Sequence, residues 1–247
     1  MGKGVALSTA EPMGATRWLL RGHSALVYAF FYAPIVVLAF YSFNESQLVG
    51  RWSGFSLRWY EAFLQNDNIQ SSLWVSVKIC AASTVISVVL GTLAALSIER
   101  FRWWGQKVFD AVLYLPIIIP DVTMAVMMLV FFGETAELFN VIPGVDLTDG
   151  LEKLVLSHVA FNISFVSVVV RARLANLDEA MEEAAADLYA SRWQAFRRVT
   201  LPQIMPGVLG GALLAVTLSL DDVVVSSFVS AVGATPVSVY VFGMLRK

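Results

Sequence analysis

Five stretches of this chain stay apolar for the length a helix needs to cross a bilayer, and no other feature narrows the fold as much. They cover residues 25–43, 72–98, 108–132, 154–172 and 203–232. A helix needs about 20 residues to span the hydrocarbon layer. Within that layer no water is available to backbone N–H and C=O groups, so open strands are excluded and each run is read as a helix. The composition agrees. Hydrophobic residues make up 57% of the chain and charged ones 15%, where soluble domains carry about 25% charged residues. Mean hydropathy is +0.70 over the whole length. The chain is therefore an all-α integral membrane protein. Arg17 and Arg21 precede the first run and no small-residue cleavage site follows it. The run is read as a retained span rather than a signal peptide.

The same composition removes several classes of function. The net charge is −2 and no basic face marks a nucleic-acid partner. Cys80 is the single cysteine, which rules out an internal disulfide and a cysteine metal cluster. His23 and His158 are too few and too far apart for a metal site. No G-x-x-x-x-G-K-[ST] phosphate loop occurs, so ATP hydrolysis is not expected of this chain. No enzyme activity, cofactor or metal is called for.

Basic residues orient the spans. With a cytoplasmic N-terminus, the inner segments hold Lys3, Arg17, Arg21, Arg100, Arg102, Lys107, Arg171, Arg173, Arg192, Arg197 and Arg198. The outer loops between spans hold Arg51, Arg58 and Lys153, and the loop 133–153 is acidic through Glu134, Glu137, Asp146, Asp149 and Glu152. The positive-inside rule therefore predicts a cytoplasmic N-terminus. Lys78 falls near the outer end of the second span, where it can snorkel. The outer segment 44–70 is rich in Trp52, Phe55, Trp59, Tyr60 and Phe63. It reads either as an interfacial aromatic belt or as a docking surface for an outside partner.

Three carboxylates lie away from the ends of the apolar runs. Asp121 follows Pro120 in the third, and Asp221 and Asp222 sit together in the fifth. An ionised carboxylate costs about 2.5–3.5 kcal/mol at the centre of a spanning helix on insertion scales. Such groups face a bundle interior or a water-filled path, or they cap a break in a helix. Pro120 and the Ser219–Asp222 stretch invite such breaks, and one aspartate of the pair could cap while the other faces a path. His158 reads as a helix-contact residue.

The segment 182–202, EEAAADLYASRWQAFRRVTLP, lies between the last two runs on the predicted cytoplasmic side. Asp178 and Glu179 suit the positive end of a helix dipole, and 179–188 consists of good helix formers. Ala184, Ala185 and Ala186 leave room for another surface to come close. Ser191 and Gln194 form a capping-box pair that starts a second short helix, and Pro202 suits the first turn of the next element. The spacing predicts two short helices joined by a turn near Tyr189–Ala190. The arrangement fits either a docking element or a helix resting on headgroups with Arg192, Arg197 and Arg198 on lipid phosphate.

Residues 183–202 resemble the EAA signature of permease subunits in bacterial ABC importers: Glu-Ala-Ala, three residues, Gly, nine residues, Ile, one residue, Leu-Pro. Glu183, Ala184, Ala185, Leu201 and Pro202 match, and Val199 is conservative for the Ile. Tyr189 stands where the signature has Gly. A left-handed conformation costs a non-glycine residue about 1–2 kcal/mol, so either the turn is built differently or Tyr189 is strained in place. We expect α-helix to continue through Tyr189, with the bend at Ala190–Ser191, because Ser191 can cap the second helix without help from position 189. The stretches 41–66, 120–132 and 219–247 are also similar to polyamine importer permeases, most of all to the second permease subunit of putrescine/spermidine importers.

The resemblance implies a type I ABC importer permease bundle, with a cytoplasmic coupling helix between spans four and five that seats in a cleft of the ATPase. It implies one transmembrane domain over 1–247, with a coupling loop at 174–202. Glu182, Glu183, Ala184, Ala185, Asp187, Tyr189, Leu201 and Pro202 would couple to the ATPase, and Asp121, Asp221 and Asp222 would line the substrate pathway. It further implies a second permease subunit as heterodimer partner, an ATPase dimer, an external binding protein and a bacterial inner-membrane location. The family has six spans. This sequence stops at Lys247 with five in view, so we expect the last span beyond it. Two alternatives stay open. One is a self-sufficient secondary transporter or channel that uses the three aspartates as an ion relay, which leaves 182–202 unexplained. The other is an ABC permease for another substrate, such as iron or phosphonate.

Overall fold

The structure is a computed structural model that describes residues 14–48, 50–139, 150–177, 180–230 and 233–246. Asp178, Glu179, Asp146 and Asp149, discussed above, lie outside the described residues, as does the side chain of Glu137. The chain separates at Asn66 into two compact units, taken one at a time.

In the first unit, α1 (Gly14–Tyr41) is the first expected span. Its 28 residues reach about 42 Å. The segment after it is organised by Asn44, which is buried. The Asn44 side chain donates to the Arg51 carbonyl at 2.7 Å and accepts from the Ser53 amide at 3.0 Å. Its own carbonyl accepts from Trp59 Nε1 at 2.9 Å, and it pairs with Phe55 in an antiparallel bridge. Phe43 stacks on Phe55 and on Tyr60, and Phe40 stacks on Trp52. Aromatic residues of this segment thus pack on one another, on the end of α1 and on the start of the short helix α2 (Arg58–Gln65).

The second unit is built on α3 (Asp67–Arg100), α6 (Leu151–Leu174) and α9 (Leu201–Asp221), which pack together. Close approach requires small residues. A Cβ at Gly91 would fall 2.8 Å from Val166 Cβ, and one at Gly207 2.9 Å from Arg173 Cβ. Apolar clusters close both ends of the bundle. One gathers Ile79, Phe132, Leu154, Val225 and Val229, and the other Ala95, Val166, Val170, Ile204 and Ala215. Between them runs a polar layer. Ser83 and Asn162 both bond to the Ser219 hydroxyl, at 3.2 and 2.8 Å. Small hydroxyl and amide side chains hold helices together where the hydrophobic effect gives little help.

The third expected span, 108–132, is not one straight helix. α4 (Gln106–Ile118) and α5 (Asp121–Phe139) meet at 112°. The cause is local. The residue before a proline is driven out of the α region, and Ile119, before Pro120, is extended with ψ 131°. The fifth expected span, 203–232, stops at Asp221, because Asp222 takes ψ 117° and leaves the helix. Two short helices follow, α10 (Val224–Val229) against α5 and α6, and α11 (Val237–Met244) against α3. The Val237 amide donates to Ser76, and the Ser238 hydroxyl to the Asp222 carbonyl.

Candidate functional site

The segment after α6 folds as two short helices, α7 (Ala180–Asp187) and α8 (Arg192–Ala195). The capping box is present as expected. Gln194 N donates to Ser191 Oγ at 3.3 Å, and Ser191 N donates to Gln194 Oε1 at 2.9 Å.

The turn between the helices corrects the expectation for Tyr189. Its φ is +59°, the one positive value at a non-glycine among the described residues. The Tyr189 amide donates to the Ala186 carbonyl, and the Ala190 amide to the Ala185 carbonyl. That pair of bonds is a Schellman turn, which requires a left-handed residue at this position. Ser191 must enter α8 extended, with ψ 158°, so the chain has to reverse before it. Two recovered carbonyl bonds offset the conformational cost. The ring is 98% exposed and meets no obstruction.

Pro202 lies in the first turn of α9, as expected, and α9 is continuous with the helix before it. α8 runs on through a π-turn, Phe196–Thr200, into α9, as one helix from Arg192 to Asp221. A proline lacks the N–H that an α-turn would use, and the wide turn just before Pro202 takes up the mismatch.

Two faces of α7 differ. Glu183, Ala184, Asp187 and Tyr189 are exposed, and Ala185 is half-buried. Glu182 turns inward. It accepts both guanidinium Nη groups of Arg100, each at 2.6 Å, and the Thr200 hydroxyl. Burial raises the Glu182 pKa, but the hydrogen bonds from Arg100 and Thr200 outweigh it and hold the carboxyl below its ordinary value. Nearby, Arg171 donates to Glu99 and Asp110, tying α6 to α3 and α4. The motif offered no sign of Arg100 or Thr200. Arg100 entered the sequence reading as a topology charge, and Thr200 occupies a variable position of the signature.

The breaks in α4–α5 and α9–α10 bring all three aspartates to one cleft of about 320 Å³, together with Phe161 and Phe165 of α6. Asp121 and Asp221 are exposed, with no side-chain hydrogen bond among the described residues. Asp222 has a structural task. Its carboxylate accepts the amides of Val225 at 3.1 Å and Ser226 at 2.7 Å, capping α10. His158, buried on α6, places Nε2 3.2 Å from the Ser226 hydroxyl and 3.5 Å from Asp222. Its Nδ1 and the Asn162 Oδ1 have no hydrogen-bond partner among the described residues.

Residues 87–245 match the family of binding-protein-dependent transport system inner membrane components. The chain belongs to that family. It is 40% identical over 222 residues to the putrescine transport system permease protein PotI of Escherichia coli K12, covering 90% of this chain and 78% of that one. It is 36% identical to the spermidine/putrescine transport system permease protein PotC of Haemophilus influenzae, covering 90% and 82%. The crystal structure of a bacterial ABC transporter involved in alginate import superposes with a TM-score of 0.68 at 18% identity, over 93% of this chain and 85% of that chain. At that identity the likeness is one of fold. The permease is a transport component and not an enzyme. Its fold is that of an ABC importer permease, in the inner membrane.

Proposed function

We propose that this permease forms half of the translocation pathway of an ATP-driven importer for a polyamine, putrescine or spermidine. The observation that carries the reading is the cleft where Asp121, Asp221 and Asp222 converge beside Phe161 and Phe165. A polyamine alternates ammonium groups with methylene spacers. Carboxylates compensate the first, and an aromatic and aliphatic wall suits the second. In a low-dielectric passage an uncompensated charge is costly, so a cleft with this lining favours an organic cation over an anion such as a phosphonate. The permease relatives named for putrescine and spermidine point the same way.

Asp121 and Asp221 are free to meet the cargo, while Asp222 holds the α9–α10 corner that shapes the cleft. The N-terminus and the 174–202 loop face the cytoplasm. There the exposed face of α7, with Glu183, Ala184 and Asp187, seats in the ATPase, and closure of the ATPase dimer rocks the spans between inward and outward states. A second permease subunit completes the pathway, and an external binding protein delivers the cargo.

The test is uptake of labelled putrescine and spermidine into proteoliposomes holding the full complex, with and without ATP. Asp121→Asn and Asp221→Asn should each lower uptake by about tenfold, the weight of one lost charge contact, while the complex still assembles. Uptake that proceeds without ATP would favour the self-sufficient transporter. Unchanged uptake in both variants and in their double would remove the cleft from the pathway.

A further inference from the structure

Little apolar burial holds α7 in place. None of its residues is buried, and toward the end of α3 it faces an open groove of about 770 Å³ walled by Leu93, Leu96, Phe101, Trp193 and Phe196. Burial of apolar surface is the usual force that docks one helix on another, and here it is slight. What spans the gap is the carboxylate of Glu182. It takes both Nη groups of Arg100, the last residue of α3, and the hydroxyl of Thr200, which is 4% exposed at the end of the π-turn. Three elements therefore meet at one side chain.

The electrostatics suit each partner. Glu182 lies in the first turn of α7 and Arg100 in the last turn of α3, the ends where helix dipoles favour a negative and a positive charge respectively. The Arg100–Glu182 contact is a two-point fork, the strongest and most directional form of ion pair. The π-turn contributes to the geometry. It holds one residue more than an α-turn, so α8 is rotated about 100° from where a straight helix would carry it. Thr200 stays on the buried side of α9 with Ile204 and Gly207, and so keeps its hydroxyl toward α7.

We infer that Glu182, Arg100 and Thr200 are a fastening that delivers any displacement of the coupling helix sideways, to the end of α3 and the base of α9. The inference rests on the importer reading above, and it separates two neighbouring glutamates, of which the motif contains Glu183 alone. Glu183 belongs to the outward face, open to the ATPase. Glu182 is a positioning residue inside the permease. Without the fastening, α7 would be joined to the bundle through its chain connections and its light packing on α8 and the π-turn. The connections would absorb the ATPase stroke, and ATP would be spent with little cargo moved.

The test uses the complete transporter in proteoliposomes, with polyamine uptake and ATP hydrolysis measured on the same vesicles. Glu182→Gln and Arg100→Gln should each lower polyamine imported per ATP by about tenfold, the scale of one charge-assisted hydrogen bond. Thr200→Val should lower it less. Arg100→Glu alone, which sets two carboxylates face to face, should be the most severe. Combining Arg100→Glu with Glu182→Arg should restore a large part of the loss, which a merely structural role for either residue would not predict. Amide exchange over 184–190 in the nucleotide-free complex should speed up in the single variants and slow again in the exchanged pair. Single variants that import as much per ATP as the parent would overturn the fastening, and so would an exchanged pair no better than its components. A parent complex without ATP-dependent polyamine uptake would instead overturn the importer reading itself.

Discussion

Where α3, α6 and α9 meet, Gly91, Gly207 and Gly211 let the helices close until an added Cβ would strike Val166 or Arg173. Where α7 meets its surroundings, no α7 residue is buried, and a carboxylate, a left-handed turn and light packing on α8 and the π-turn connect it. The first region is held by shape, so its tolerance is set by volume. The second is held by directed polar contacts, so its tolerance is set by charge and backbone angle. A transporter needs both kinds of region. A core that cannot deform transmits motion, and a lightly seated helix can be moved by a partner. The charged groups at the junction, Arg100 with Glu182 and Arg171 with Glu99 and Asp110, lie where the two regions join.

The contrast is tested most severely in the core. Gly91→Ala sets a Cβ 2.8 Å from Val166 Cβ and 3.0 Å from the Ile163 carbonyl. The helix-propensity gain is at most about 1 kcal/mol. Overpacking should still leave a net loss of about 2 kcal/mol, visible as a lower melting temperature of the purified complex. By contrast Ala184→Leu, on the exposed face of α7, should change stability by less than about 0.5 kcal/mol and yet impair transport. If both substitutions proved equally harmful to stability, α7 would be packed after all.

Next in size is the cap at the α9–α10 corner. Asp222→Ala removes the acceptor for two amides and should cost about 1–2 kcal/mol. Asp222→Asn keeps an acceptor and should cost only a few tenths of that, so comparing the pair in thermal unfolding separates capping from charge. Equal losses in the two would mean that the negative charge, and not the cap, stabilises the corner.

Tyr189→Gly should stabilise the coupling turn by about 1 kcal/mol, since glycine takes the left-handed conformation without penalty. Slower amide exchange at 184–188 would register it, with transport at least as fast as in the parent. Faster exchange would show that the exposed ring has a contact in the assembled transporter that steadies the turn.

The smallest effect is that of pH on the fastening. The Glu182 carboxyl sits below its ordinary value of 4.5 in the folded protein. A depressed carboxyl contributes stability that is complete above its unfolded pKa and fades as the pH falls through the folded one. Import per ATP should therefore be flat through neutral and mildly acidic pH as far as this pair is concerned, with weakening confined to acid below 4.5. Glu182→Gln should remove that acid-side change. A step near neutrality that vanished in Glu182→Gln would place the group in a different environment.

Much of the coupling segment could be read from the chain alone because its signals are local. The Ser191–Gln194 capping box, the alanines of α7 and the EAA signature each involve residues within a few positions of one another. The expectation for Tyr189 was wrong because single-residue propensity was weighed against a turn whose two hydrogen bonds together outweigh it. Arg100 and Thr200 could not be found this way, since they lie 82 and 18 residues from Glu182.

The sequence by itself determined that the chain is helical and membrane-embedded, because hydrophobic length and backbone satisfaction in lipid admit one answer. The break between α4 and α5 has a local cause too, since Pro120 acts on its immediate neighbour, although the run 108–132 reads as one span. Only the tertiary structure decided which polar groups would share one cleft. Asp121, Asp221 and Asp222 are spread across a hundred positions and come to one cleft through two helix breaks and the packing of α5, α6 and α10. Local chemistry sets the breaks, but their convergence depends on how small residues let α3, α6 and α9 close, and that is a property of surfaces meeting in space.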